Sequence, residues 1–280
     1  MEKTLKKYFA LFALPALICF LLAFLIPMIM GIYLSFCKFT SVTNAKFVGL
    51  SNYGKAFINT DFIHAFFFTA GFTIVSVLTI NVIAFALALL LTKDIKGTNA
   101  FRTIFFMPNL IGGIVLGWIW QVIINGVLQK YGVTIVSNAK YGFWGLVILM
   151  NWQNVGYMMV IYIAGIQNIS SDLIEASEID GANPWTTLVH VIIPSVMPSI
   201  TICMFLTLTN GFKLFDQNLA LTAGDPGKKS EMLALNIYNT FYGRSGFEGV
   251  GQAKAVMFTI VVALIALTQL KMTREKEVEA

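Results

Sequence analysis

The chain has 280 residues, 57% of them apolar and only 12% charged. Nineteen basic and 14 acidic side chains are too few to cover the surface of a soluble core of this size, so a bilayer is the better solvent. The net charge of +5 reads as membrane orientation rather than nucleic-acid binding, because no aromatic-laced basic patch accompanies it. Cys19, Cys37 and Cys203 have neither metal nor disulfide spacing and read as small buried hydrophobes.

Continuously apolar runs follow at about 9 to 36, 63 to 91, 102 to 124, 143 to 166, 196 to 215 and 254 to 271. Each meets the ~20 residues that a helix needs to cross the hydrocarbon core. The pattern does not alternate, so the expectation is an all-α polytopic membrane protein of six transmembrane helices in one domain, 1 to 280, rather than a barrel. The first run is too long for a cleaved signal, contains Pro15 and Pro27, and stays as a span. Lys3, Lys6, Lys7, Lys93, Lys96, Arg102, Lys271, Arg274 and Lys276 crowd short connections on one side, which places both termini in the cytoplasm. The connections on the other side, about 37 to 62, 125 to 142 and 216 to 253, are too small for an independent domain, so capture of a solute from outside falls to another protein.

Between spans four and five runs a link without lysine or arginine, about 168 to 194. Ser171 or Asp172 is placed to cap a short helix, and Glu175 and Glu178 follow in its early turns. Leu173, Ala176, Ile179 and Ala182 form a small apolar stripe. Gly181 ends the helix, and Asn183 with Pro184 caps and starts a second one. An acidic link of this kind suits a protein cleft better than anionic lipid.

Glu175, Ala176 and Ser177, with Asp180, Gly181, Ala182 and later Ile193 and Pro194, resemble the EAA loop of permease subunits in binding-protein-dependent ABC importers. Ser177 stands where the family form has a second alanine. Phe47, Val48, Gly49, Leu50, Asn52 and Tyr53 extend the resemblance, as do Phe101, Arg102 and Pro108. So do Gly211 to Asp216 and Leu221 to Gly227, and together these are similar to the first subunit of a maltose-type sugar permease pair, over almost the whole chain. The resemblance implies a type I importer fold, a coupling helix at about Asp172 to Gly181, and a sugar or oligosaccharide as cargo. It also implies a second homologous permease, two ATPase subunits holding ATP and Mg, an extracellular binding protein, and residence in a bacterial or archaeal cell membrane.

A solute path should show polar groups at membrane depth. Asn81, Asn109, Gln121, Asn151, Gln153, Asn154 and Asn210 are such groups, and no Asp or Glu lies deep in a span, which fits a neutral solute better than ion coupling. Asn151, Asn154, Tyr157, Asn210 and Gly211 are the candidate pathway residues, with interhelical hydrogen bonding as the competing use of each. Asn151, Asn154 and Met158 share a face while Trp152 and Gln153 turn away, and Asn210 to Phe212 interrupt the fifth run. Lys213 reads as a snorkelling cation that could alternatively meet an anion such as glycerol phosphate. Gly112, Gly113 and Gly117 are close-packing positions, available for a second permease, and Pro108 should kink the third span.

The chain carries no Walker-type phosphate loop, no nucleophile with base and orienting partner, and only His64 and His190, too isolated for a metal. It binds no cofactor of its own on this reading and is not an enzyme. The competing classes are an ion-coupled secondary transporter, disfavoured by the missing intramembrane carboxylates, and a membrane enzyme, for which Glu175, Glu178 and Asp180 are spaced wrongly.

Overall fold

The computed structural model describes residues 13–93 and 96–275. Lys3, Lys6, Lys7 and Lys276 of the orientation argument lie outside them. In chain order the helices are α1 (Ala13–Ser35), α2 (Ser51–Ile58), α3 (Thr60–Leu91), α4 (Thr98–Phe106), α5 (Gly113–Leu128) and α6 (Ala139–Gln167). They continue as α7 (Ser171–Ile179), α8 (Pro184–Ser195), α9 (Met197–Phe212), α10 (Asp216–Leu221), α11 (Leu233–Tyr242) and α12 (Glu248–Arg274). A two-residue antiparallel ladder, β1 (Cys37–Lys38) on β2 (Lys46–Phe47), pairs Cys37 with Phe47.

α1, α3, α6 and α12 are each long and apolar enough to cross a bilayer alone. The other two crossings are broken. Thr98–Leu110 meets Gly113–Tyr131 at 102°, and Pro184–Ser195 meets Met197–Phe212 at 70°, so the expected six spans hold if each bent pair counts as one. Sequence reading gave these as plain runs, 102 to 124 and 196 to 215, with a mere kink at Pro108. Pro108 sits in a 3₁₀ turn, Met107–Leu110, and Gly112 follows in extended conformation, so the chain turns sharply rather than kinks. α9 has 16 residues, about 24 Å, and falls short of a 30 Å core without α8.

The chain divides into two compact units, Met1–Phe62 with Ile237–Ile260, and Ile63–Asn236 with Val261–Ala280. α3 and α12 each run from one into the other. In the first unit the Phe47–Tyr53 motif organises the exit of α1. Gly49 takes the left-handed turn at φ 59°. Buried Asn52 donates from Nδ2 to the carbonyls of Ser35 (2.9 Å) and Cys37 (2.8 Å), which have left the helix ladder. The Tyr53 hydroxyl shares a hydrogen bond of 2.6 Å with Ser35.

The core of the second unit gathers on α6, whose Leu146, Leu149, Met158 and Tyr162 are fully buried or nearly so. Gly156 of α6 lies against the backbone of α4, where an added Cβ would overlap the Phe105 carbonyl. Gly113 and Gly117 of α5 receive α10, with Asp216 Cβ and Ala220 Cβ each 2.7 Å from the position of an added Cβ. The close approach expected of these glycines is therefore made within the chain.

Alanine at Gly156 should push α4 off α6 and cost ~1–3 kcal/mol, as overpacking does. Alanine at Gly71 of α3, which meets nothing within 4 Å, should be neutral or slightly stabilising. Thermal unfolding of the two purified variants checks the contrast.

Candidate functional site

The acidic link forms a capped helix pair. The cap of α7 is Ser170, whose side chain accepts from the Asp172 amide at 3.2 Å, one residue ahead of the expected Ser171 or Asp172. The helix ends in a Schellman arrangement: the Gly181 amide donates to Glu178 O (3.0 Å) and the Ala182 amide to Ser177 O (2.9 Å), with Gly181 at φ 79°. Asn183 Oδ1 accepts from the Thr186 amide at 2.8 Å and caps α8, with Pro184 in its first turn. Two caps and a left-handed glycine thus fix the angle between α7 and α8.

Ser177 faces inward, donating to Ile174 O (2.7 Å) and meeting the Thr187 hydroxyl at 3.2 Å. An alanine would fill the space but not tie the two helices. The outward face holds Leu173, Glu175, Ala176, Glu178, Ile179 and Asp180, all exposed, with Trp185 beside them on α8. Ile179 is 85% exposed and Trp185 72%, so the surface mixes large exposed apolar side chains with carboxylates. Pro194 lies two residues before the 70° bend at Val196, within α8.

On the opposite side of Asn154 from the link lies a cavity of about 400 Å³, within the range of small-molecule sites. Its walls are Met150, Gln153 and Asn154 of α6, Asn210 of α9, and Lys213 to Gln217. Asn154 sits midway along the 29-residue α6, about 20 Å from its end at Gln167. Gln217 donates to Gln153 Oε1 (2.8 Å) and Gln153 Nε2 donates to Ile111 O (3.3 Å), joining α10, α6 and the turn between α4 and α5. Lys213 and Asp216 bring one charge of each sign to the exposed rim.

Of the pathway candidates, Asn154 and Asn210 meet on this cavity, while Asn151, Tyr157 and Gly211 do not line it. Asn151 donates to Thr79 Oγ1 (2.9 Å) on α3, and Tyr157 packs its ring 6.4 Å from Phe106 on α4. Gly211 lies against Thr73 of α3. The expected interruption at Asn210 to Phe212 falls later: α9 runs through Phe212, and the break is Lys213 to Phe215. Gln153, read as turning away, is buried and central: its side chain reaches Ile111 and Gln217 inside the protein, while Trp144, Ile148 and Trp152 hold the exposed stripe of α6. Gln153 and Gln217 were thus missed as a pair. Their signal is a deep amide on a helix whose exposed stripe, Trp144, Ile148 and Trp152 at spacings of four, leaves Gln153 on the inner side.

Asn81 is a separate hub. It accepts from the Tyr162 hydroxyl at 2.7 Å and donates to Thr207 Oγ1 at 3.0 Å, tying α3 to α6 and α9. Further along the chain, Asn218 Nδ2 donates to Ser230 O (2.9 Å), its Oδ1 accepts from the Met232 amide (2.9 Å), and Ser230 donates to Thr222 Oγ1 (2.9 Å). This network anchors the Leu221 to Gly227 turn at its buried residues Leu221, Thr222 and Gly224, while Ala223, Asp225 and Gly227 are exposed.

Bent crossings around a polar cavity, with a rigid capped link projecting from the bundle, define a membrane permease. Residues 80–270 match the family described as the binding-protein-dependent transport system inner membrane component. The chain is 43% identical to the probable starch degradation products transport system permease protein AmyD of Thermoanaerobacterium thermosulfurigenes, covering 97% of this chain and 96% of that one. It is 30% identical to the multiple sugar-binding transport system permease protein MsmF of Streptococcus mutans, over 99% of each. A chain of a bacterial ABC transporter involved in the import of the acidic polysaccharide alginate has the same fold, with a TM-score of 0.82, 21% identity and 98% of each chain covered. The chain belongs to the family of binding-protein-dependent transport system inner membrane components, and is a permease subunit of the ABC importer class with the type I fold.

Removing the Asn81–Tyr162 contact should reveal its worth. A double-mutant cycle of Asn81→Ala and Tyr162→Phe, read by unfolding in detergent, is expected to give a coupling of ~0.6 kcal/mol, typical of interhelical hydrogen bonds in membranes.

Proposed function

We propose that this chain passes a sugar or oligosaccharide into the cytoplasm through the cavity at Asn154 and Asn210. The observation that carries the reading is the amide lining halfway along α6, with Gln153 and Gln217 alongside and the Phe215 ring at the wall. Amides both donate to and accept from hydroxyl groups, and an aromatic face suits the apolar side of a sugar ring. The names of the relatives, which transport starch degradation products and multiple sugars, support the same cargo.

The chain acts as one permease domain. It pairs with a second, homologous permease, takes solute from an extracellular binding protein, and is driven by two ATPase subunits that hold ATP and Mg. A neighbouring solved importer, determined with a pentasaccharide-bound periplasmic protein, supports the binding-protein partner. Both termini and the link face the cytoplasm of a bacterial or archaeal cell. Glu175, Ala176, Asp180, Gly181 and Ala182 form the coupling surface, seated in a cleft of the ATPase; Ser177 serves the coupling from behind it, by tying α7 to α8, and Pro194 sits near the bend that passes the motion to α9. Asn151, Tyr157 and Gly211 serve the path indirectly, by holding its walls.

The test is ATP hydrolysis by the complete complex in nanodiscs, with binding proteins preloaded with maltodextrins, other sugars or glycerol phosphate. One sugar-loaded protein should stimulate hydrolysis. Gly181→Leu, strained at φ 79°, should abolish stimulation without loss of assembly. The double substitution Asn154→Ala and Asn210→Ala should leave stimulation in place and lower transport at least about tenfold, the loss of roughly 1.4 kcal/mol of recognition. Stimulation by glycerol phosphate alone would replace the sugar with an anion held at Lys213.

A further inference from the structure

A second polar cavity, about 380 Å³, lies at the C-terminal end of α6, where the link begins. Thr92 and Lys93 just beyond α3, Asn99 and Arg102 of α4, and Gln167 at the end of α6 contribute polar walls. Its described lining carries two cations and no carboxylate. Arg102 is half-buried: Nη2 donates to Leu91 O at 2.7 Å, while Nε is buried without a hydrogen-bond partner among the described residues. A guanidinium drawn out of water with one donor unmet favours an anion, because leaving a desolvated charge unpaired is costly.

We propose that this cavity binds a phosphate-bearing anion. The planar donors of Arg102 match two phosphate oxygens, and Lys93, exposed at the rim, adds a point charge. The surroundings favour a phospholipid headgroup as the source. Leu90 of α3 and Phe101 and Ile104 of α4, two of the helices that contribute to the cavity, are 52%, 47% and 60% exposed. The Phe101 ring lies 3.8 Å from where a Cβ on Gly97, a wall residue, would stand. Acyl chains along these side chains would leave the phosphate at the cations, as basic pockets at membrane surfaces hold acidic headgroups. The ligand would join the start of α4 to the end of α6, three residues before the Ser170 cap, and so steady the root of the link.

Native mass spectrometry of the complete complex, with phosphatidylglycerol titrated in and no solute present, tests this without reference to the cargo. The wild type should retain the lipid. Lys93→Gln should weaken retention about fivefold, the share of one basic residue near a membrane surface. Lys55→Gln, an exposed change on α2, should leave it as in the wild type. Arg102→Lys, which keeps the charge but loses the planar fork, should weaken it too. Should Arg102→Lys fail to assemble, Lys93→Gln decides. Displacement of the lipid by millimolar inorganic phosphate, with ATP hydrolysis equal in phosphatidylcholine and phosphatidylglycerol nanodiscs, would assign the site to a soluble phosphate. Wild-type retention in Lys93→Gln, with no competition by phosphate, overturns the proposal.

Discussion

Inside hydrocarbon a broken helix exposes amides and carbonyls that water cannot reach, so each break must be closed by protein. Both bent crossings of this permease obey that constraint. At the first, Ile111 closes a turn onto Pro108 O (3.2 Å), and its own carbonyl accepts from Gln153 of α6. Gly156, one turn further along α6, admits the backbone of α4 at the same place. At the second, Val196 donates to Ile192 O and accepts from the Ile200 amide, both at 3.0 Å, so the ladder survives the 70° turn. Gly165 of α6 makes room there for Ser199. One helix, α6, therefore serves as the stop for both bends.

The cavity follows from that arrangement. A 102° bend carries α5 away from the line of α4, and α10 packs into the glycine face of α5. Gln217, at the start of α10, then reaches Gln153, and the residues between α9 and α10 line a space that side chains do not fill. The link that begins at Gln167 is a continuation of the helix that forms the cavity wall at Asn154. α7 is joined covalently to the cavity wall through α6, and to α9 through α8 and the bend at Val196. The hub at Asn81 ties these two connections to each other, since Tyr162 belongs to α6 and Thr207 to α9. On the proposed coupling role, a displacement of the link would move α6 and α9 against a shared anchor on α3.

Much of this was legible because bilayer and capping rules act locally. Six apolar runs, the Gly181 stop and the Asn183–Pro184 start are written in consecutive residues; the structure keeps the stop and the start, makes four of the runs single crossings, breaks the other two at bends of 102° and 70°, and shifts the first cap to Ser170. The EAA-like spacing led to the family for the same reason. What the sequence hid were relations between distant residues. Gln153 looked peripheral on a helical wheel, yet the exposed stripe of α6 runs through Trp144, Ile148 and Trp152, and Gln153 falls just inside it. Asn151 reads as a pathway residue in the sequence; its amide nitrogen donates to Thr79 Oγ1 of α3, and it does not line the cavity at Asn154. Gly113 and Gly117 announced close packing but not their partner, which is a helix about a hundred residues later in the same chain. The angle at Pro108 was also hidden, because a proline removes a hydrogen bond without dictating how far the chain then turns.

The face from which the link projects is segregated by charge over a short stretch of chain. Up to Gln167 its described polar cavity is cationic, through Lys93 and Arg102; from Asp172 to Asp180 the exposed charges are acidic. On the proposed cytoplasmic placement, an anionic leaflet would attract the first and repel the second. Repulsion would hold α7 off the lipid surface, although Leu173, Ile179 and Trp185 would otherwise favour burying there. The exposed apolar side chains of the link would thereby be left for the proposed protein cleft, and a basic lining in that cleft would complement its carboxylates. A lysine introduced on the outward face would then work against the proposed coupling twice, by weakening the fit to such a cleft and by removing the repulsion that keeps the helix clear of the membrane.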